Sequence, residues 1–144
     1  MIRRVGREDK EIFCALVDEF YHTDAVLHSI PIEFIEATFN EMMQSDIYLE
    51  GYIFEHEDRT AGYATVAKSF STEAGGLVLW LEEVYIRPDF QGMGIGKEFF
   101  DYIESNHDPK HLRLEVEHSN ERAIKLYKKL GYESLTYHQM IKEF

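Results

Sequence analysis

Three glycines at alternate positions, Gly92, Gly94 and Gly96, lie between the apolar stretch Leu77–Ile86 and a run with helical periodicity. This segment constrains the chain more than any other. Glycine reaches positive φ easily and brings no Cβ, so a loop built this way can turn sharply and let a ligand approach its amides. Where such a loop opens a helix, its N–H groups join the unsatisfied donors and the positive dipole end of that helix, a combination suited to a pyrophosphate. Leu77–Ile86 carries apolar residues at both parities, which predicts a central strand covered on both faces. The order strand, glycine loop, helix therefore predicts an α/β layer fold.

The common nucleotide motifs do not account for this loop. A dinucleotide fingerprint follows the first strand of a βαβ unit, whereas here two helical patterns and a hairpin come first. A P-loop needs Gly-Lys followed by Ser or Thr to hold magnesium, and Lys97 is followed by Glu98.

The remaining elements follow from periodicity. Ile2–Val5 reads as a short strand, and Ile12, Phe13, Leu16, Val17 and Phe20 predict a helix over about residues 7–21. Pro31 suits the first turn of a second helix that carries Ile35, Phe39, Met42 and Met43 on one face. Ile47–Glu55 and Ala61–Ser69 flank a polar segment as the arms of a hairpin. Ile95, Phe99, Tyr102 and Ile103 mark a third helix, and His111–Val116 alternates as a strand. Ala123, Leu126, Tyr127 and Leu130 form the stripe of a fourth helix, capped by Ser119 or Asn120 and stopped by Gly131. Tyr137–Phe144 is expected to close the sheet. No repeat or linker divides the chain, so residues 1–144 are expected to form one domain.

Charge narrows the partners. Fifteen basic residues stand against 27 acidic ones, a net charge of −12, and such a surface repels the phosphate backbones that nucleic-acid binding depends on. The same acidity attracts cations. No uninterrupted apolar stretch, Leu77–Leu81 among them, is long enough to span a membrane, and Met1–Asp9 does not read as a secretory signal. A cytoplasmic location without membrane or nucleic-acid partners is expected. Cys14 is the single cysteine and gives neither an internal disulfide nor a zinc ligand pair; it reads as a small core residue. His107 and His111 have the spacing of a helical metal pair, but Pro109 between them argues for a loop.

Gln91-Gly92-Met93-Gly94-Ile95-Gly96 matches, position for position, the phosphate loop of the GNAT superfamily of acyl-CoA-dependent N-acetyltransferases. The later block Asn120 to Tyr132 resembles that family's second signature of Asn, Ala, Tyr and Leu-Gly-Phe, with Tyr132 in place of Phe. Both motifs fall within residues 77–133. The resemblance implies a single-domain GNAT fold, a mixed and mostly antiparallel sheet with helices on both faces, and acetyl-CoA as co-substrate. Leu81-Glu82-Glu83-Val84-Tyr85-Ile86 looks most like the diamine and polyamine acetyltransferases, which carry an acidic pair at the end of this strand.

An aliphatic amine, with a pKa of roughly 10.4, is mostly protonated at neutral pH, so acetyl transfer needs a proton acceptor. Glu82, a carboxylate near the end of an apolar strand, is the leading candidate, directly or through water. Glu83 is the second candidate for contact with the substrate; under strict alternation it faces away from Glu82 unless the strand bulges. The resemblance implies that Val84, Tyr85 and Ile86 offer backbone donors to the acyl group and its pantetheine arm. It further implies that Gln91, Gly92, Met93, Gly94, Ile95, Gly96 and Lys97 hold the pyrophosphate. Asn120, Ala123 and Tyr127 share one helical face that can line the cofactor, with the Tyr127 phenol protonating the leaving thiolate. Direct transfer requires no metal. The acceptor is expected to be a primary amine on a small molecule, with diamines and polyamines as the class the acidic pair resembles most. Alternatives are an amino acid, an aminoglycoside, a protein N-terminus, a non-catalytic acyl-CoA sensor, or a structural role in a homodimer paired through the terminal strand.

Overall fold

The computed structural model describes residues 1–144. The chain runs β1 (Ile2–Arg4), α1 (Lys10–Tyr21), α2 (Ile32–Gln44), β2 (Leu49–His56), β3 (Arg59–Ser71), β4 (Gly76–Ile86), α3 (Ile95–Asn106), β5 (His111–Leu114) and α4 (Glu121–Lys129). Short 3-10 turns at Arg7–Asp9 and Pro88–Phe90 lead into the first helix and the glycine loop. The first helix thus begins at Lys10, three residues later than periodicity suggests, because Asp9 is spent on the turn: its carboxylate accepts from Gly6 N and from both terminal nitrogens of Arg3.

The five strands lie in chain order, antiparallel from β1 to β4 and parallel between β4 and β5. The β2–β3 connection tightens to Glu57-Asp58, both left-handed, which is the geometry that matches the twist of a hairpin. Strand alternation separates two cores. Tyr52, Phe54, Ala64, Val66, Leu79 and Leu81 pack beneath α3 with Phe99, Phe100 and Ile103, whereas Ile53 and Tyr63 face Phe13, Leu16, Phe20, Ile35 and Phe39 of α1 and α2. Helices therefore cover both faces, as expected for a mixed, mostly antiparallel sheet. Cys14 is half-buried against the second core, and burial pushes its thiol up. No helix is long and apolar enough to cross a membrane.

Two expectations fail. Tyr137–Phe144 forms no strand; Tyr137, Met140, Ile141 and Phe144 are exposed, and β5 stays an edge strand. Leu126, assigned to the apolar stripe of the fourth helix, is also exposed, since α4 packs through Tyr127 and the following Leu130 and Tyr132.

A buried carboxylate ties the far end of α3 to the sheet. Glu50 on β2 is 3% exposed and meets Arg4 of β1 and Lys68 of β3, each at 2.6 Å. The Tyr52 hydroxyl donates to it, and the ring of His107, which ends α3, lies 2.9 Å away. Burial alone would raise the Glu50 carboxyl; Lys68, Tyr52 and Arg4 outweigh it and hold the group at about 2. A depressed folded-state pKa gives stability that is present above the ordinary value of 4.5 and lost as pH falls toward 2. Glu50→Gln is therefore expected to lower unfolding stability at neutral pH by about 2–4 kcal/mol, since two cations lose their buried partner. Denaturant titrations at a series of pH values should also show a shallower acid-induced loss than wild type between 4.5 and about 2.

Candidate active site

The site begins where β4 and β5 part. Their parallel pairing runs from Val78–His111 to Leu81–Leu114 and stops, while β4 continues against β3 as far as Ile86–Gly62. From Glu82 onward β4 has a partner on one side only. Arg87 N–H donates to Ala61 O on the β3 side, and backbone direction alternates along a strand, so Val84 and Ile86 turn their N–H and C=O groups toward the open side. Gln91 Nε2 reaches back to Ile86 O at 3.1 Å, consistent with that orientation. Two backbone donors thus face the fork without a strand to receive them.

A β-bulge sits at the same point. Thr65 pairs with Glu83 and Val66 with Leu81, so Glu82 is the extra residue. Strict alternation would set Glu82 and Glu83 on opposite faces. The bulge shifts the phase of β4, and both carboxylates line one cleft. Leu81 and Val84 remain on the α3 side, whereas Glu83 and Tyr85 join the side of α1.

The two carboxylates have different surroundings. Glu83 accepts from Tyr21 Oη at 2.8 Å, Thr65 Oγ1 at 2.9 Å and Tyr63 Oη at 3.2 Å, a set of hydroxyls from α1 and β3. Burial and the adjacent Glu83 charge raise the Tyr21 and Tyr63 phenols, so both stay protonated donors. Glu82 is exposed to the cleft and makes no hydrogen bond or ion pair within the protein. The surrounding protein and the charges of Glu115 and Glu83 push its carboxyl above the ordinary range. A carboxylate that is ionised, unpartnered and more basic than usual is equipped to accept a proton.

The glycine loop is open in the way its sequence implies. Gly92 and Gly94 are left-handed, at φ 81° and 83°, and a Cβ at either would meet nothing within 4 Å, so backbone conformation and not crowding requires glycine there. Gly94 caps α3 without any side-chain hydrogen bond. Glu98 N–H makes the first helical bond, to Gly94 O, which leaves the amides of Gly94, Ile95, Gly96 and Lys97 directed outward from the helix end. The Ile95 side chain is buried and anchors the turn, while Met93 is exposed. Lys97 bonds Asp101 one turn along the helix, so its charge is shared with a carboxylate.

On the other wall, Asn120 and not Ser119 caps α4, its Oδ1 accepting from Ala123 N at 3.2 Å. Tyr127 stacks edge-on against Phe100 and its hydroxyl has no partner within the protein. Burial raises its phenol. Tyr127, Asn120, Glu82, Glu83 and Val84 all line the cleft, together with Tyr21, Trp80 and Glu115. Tyr21, Thr65, Tyr63 and Glu115 were not distinguishable in the sequence. Tyr21 meets Glu83 across 62 residues, and no local pattern announces such a contact.

Uncapped helix amides, a loop without Cβ atoms and a forked strand form a surface that fits an extended thioester with a pyrophosphate. Comparison with known proteins agrees. Residues 11–132 match the acetyltransferase (GNAT) family. The thialysine N-epsilon-acetyltransferases of Bos taurus and Mus musculus are 36% and 35% identical over 78 residues, 52% of this chain and 45% of each relative. The chain therefore spans about half the length of the curated relatives it matches. A possible acetyltransferase from Clostridium difficile 630 superposes with a TM-score of 0.83 at 17% identity, covering 100% of this chain and 97% of that one. The enzyme AAC(6')-Iy, in complex with a bisubstrate analogue of coenzyme A, gives a TM-score of 0.81 at 17% identity with the same coverage. At that identity these structures establish the fold, and with the family match over most of its length the chain belongs to the acetyltransferase (GNAT) family, whose members use acetyl-CoA as co-substrate.

Proposed function

We propose that this protein acetylates a primary amine of a cationic small molecule by direct attack on acetyl-CoA. The observation that carries the reading is the pairing of two features on one cleft: backbone donors at the β4–β5 fork and an unpartnered carboxylate, Glu82, at its apex. Acetyl-CoA supplies the thioester whose carbonyl the amine attacks. The amides of Gly92 to Lys97, at the start of α3, are suited to its pyrophosphate, and those of Val84 and Ile86 to the pantetheine arm and the carbonyl oxygen as charge develops there. Asn120 lines the opposite wall, and Ala123 follows it in the first turn of α4.

Glu82 takes the proton of the acceptor ammonium, freeing the nitrogen lone pair, and hands it on to solvent; the second proton that nitrogen sheds as the amide forms leaves by the same route. The carbon–nitrogen bond forms, the carbon–sulfur bond breaks, and sulfur leaves with the electron pair. Tyr127 donates toward that sulfur. A thiol of pKa roughly 8.5 is a stronger acid than a phenol raised above 10, so a complete transfer from Tyr127 is uphill. The hydroxyl acts first as a hydrogen-bond donor to the thiolate, and solvent completes the protonation. Glu83, saturated by three hydroxyls, orients Tyr21 in the cleft wall and adds negative potential toward a cation.

The acceptor class follows from charge. Eight carboxylates, from Glu73, Glu82, Glu83, Glu104, Asp108, Glu115, Glu117 and Glu133, line the cleft with three cations, Lys110, Arg113 and Lys128. This favours an amine that keeps a second positive charge while the first is acetylated, a diamine or polyamine. The names of the curated relatives, which place the acetyl group on N-epsilon of thialysine, support an aliphatic amine. A cytoplasmic setting suits a chain with one unpaired thiol, Cys14, and the exposed segment Leu135–Phe144 offers a second copy an apolar surface for a homodimer.

Thiol release from acetyl-CoA across a panel of diamines, polyamines, amino acids, aminoglycosides and N-terminal peptides tests the reading. Diamines or polyamines should give the highest kcat/KM. Turnover confined to monocationic amines or peptides contradicts the acceptor class, and acetyl-CoA binding without turnover of any amine points to a sensor instead.

Two variants should separate cofactor binding from chemistry. Gly94→Val forces a β-branched residue into a left-handed conformation and should weaken acetyl-CoA binding by at least about 10-fold in calorimetry. Tyr127→Phe should lower kcat by about 10–100-fold and leave that affinity nearly unchanged.

A base with a raised carboxyl gives an activity that rises with pH through its own ionisation. The acid limb of kcat/KM should therefore lie above the ordinary carboxyl value of 4.5, and Glu82→Gln should remove that limb while lowering kcat by about 100-fold.

A further inference from the structure

Glu82 and Glu115 are the first residues beyond the last pair of the parallel ladder, Leu81–Leu114, one on each arm of the fork. They share a recess of about 40 Å³ with Trp80 and Leu81, large enough for ordered water. Neither carboxylate has a hydrogen-bond or ion-pair partner. Arg113, on β5 two residues before Glu115, has its guanidinium 4.4 Å from the Trp80 ring centroid and bonds neither carboxylate. Glu83 faces Glu82 from the same strand, but its charge is dispersed over Tyr21, Tyr63 and Thr65. Tyr21 is the group that α1 presents to the pair, and it is a protonated donor already engaged by Glu83. Glu115 is thus the one neighbouring charge that the fold sets across from Glu82 with nothing to neutralise it.

We propose that Glu115 is a positioning residue for acetyl transfer, its negative charge across the fork making the Glu82 carboxylate a stronger base toward the acceptor ammonium. The inference rests on the reading of Glu82 as the base. The proton moves from the acceptor nitrogen to Glu82, and Glu115 takes no part in the transfer itself. Two like charges across a recess open to solvent interact at high dielectric, so the effect is moderate and weakens with salt. It has the same direction as the contribution Glu115 makes to raising the Glu82 carboxyl.

The test is the pH profile of kcat/KM for the best amine of the panel, measured for wild type, Glu115→Gln, Glu115→Asp and Glu82→Gln. Glu115 is exposed, so its isosteric replacement should fold, which a thermal unfolding curve checks. In Glu115→Gln the acid limb should move down by about 0.3–1 pH unit, with the KM for acetyl-CoA unchanged, and Glu115→Asp should restore most of the wild-type midpoint. Added salt should move the wild-type limb the same way and leave that of Glu115→Gln nearly fixed; this holds as a test even if the variant unfolds. An unmoved or raised midpoint in Glu115→Gln, or a wild-type limb indifferent to salt, overturns the role of Glu115. If Glu82→Gln keeps the limb, the base assignment fails and this inference with it; if it loses the limb while Glu115→Gln does not shift it, only the inference falls.

Discussion

Backbone N–H groups need acceptors, and this fold leaves two sets of them without one within a dozen residues of chain. The first lies along β4 beyond Leu81, where β5 has turned away. The second is the uncapped start of α3 at Gly94. Both sets lie just beyond the part of β4 that pairs with β5, so a carbonyl or phosphate oxygen placed there gains hydrogen bonds from the protein. The rest of the structure keeps both in place. Phe99, Phe100 and Ile103 fix α3 on the sheet by burial, and the Glu50 cluster holds its far end through His107. The glycine loop can therefore be open and exposed without the helix behind it being loose.

The bulge at Glu82 governs the other half of the site. One extra residue on β4 changes which face each later side chain takes, and it sends Glu83 to meet Thr65 directly across the ladder. Two adjacent glutamates then acquire different chemistry from their surroundings alone. Glu83 spends its oxygens on hydroxyl donors and becomes part of the wall. Glu82 has no donor, a neighbour of like charge and partial shelter from water, conditions that together favour taking up a proton.

Much of this was legible in the chain, and the boundary of legibility is physical. Gly92 and Gly94 announce positive φ, and Asn120 with Gly131 announces the limits of α4, because each of these is a local rule with a local cause. The central strand and the two-sided core were readable from hydrophobic period. The bulge was not, since Glu-Glu in a strand carries no mark of an extra residue until the partner strand fixes the register. The hydroxyls on Glu83 come from residues 18 to 62 positions away, beyond any periodic signal. The alternation that suggests a strand at Tyr137–Phe144 is met by no ladder here, and a strand pattern forms a strand only where an edge receives it.

Charge raises an apparent contradiction whose resolution bears on the proposed chemistry. A protein with a net charge of −12 should repel a ligand as anionic as coenzyme A. Net charge acts at long range and is screened beyond about 8–10 Å at physiological salt, whereas amide hydrogen bonds act at contact. On the proposed reading the glycine loop works by the second means: its donors are peptide groups, and its one lysine, Lys97, is shared with Asp101. A phosphate site made of amides needs no cationic patch, and so leaves the acidic field of the cleft intact for a cationic acceptor a strand's length away. A loop of lysines would have held the phosphates as well at contact but weakened that field. On the proposed reading, holding the anion by backbone and not by side chains is thus what leaves the carboxylates free to attract a cationic amine on the same small sheet.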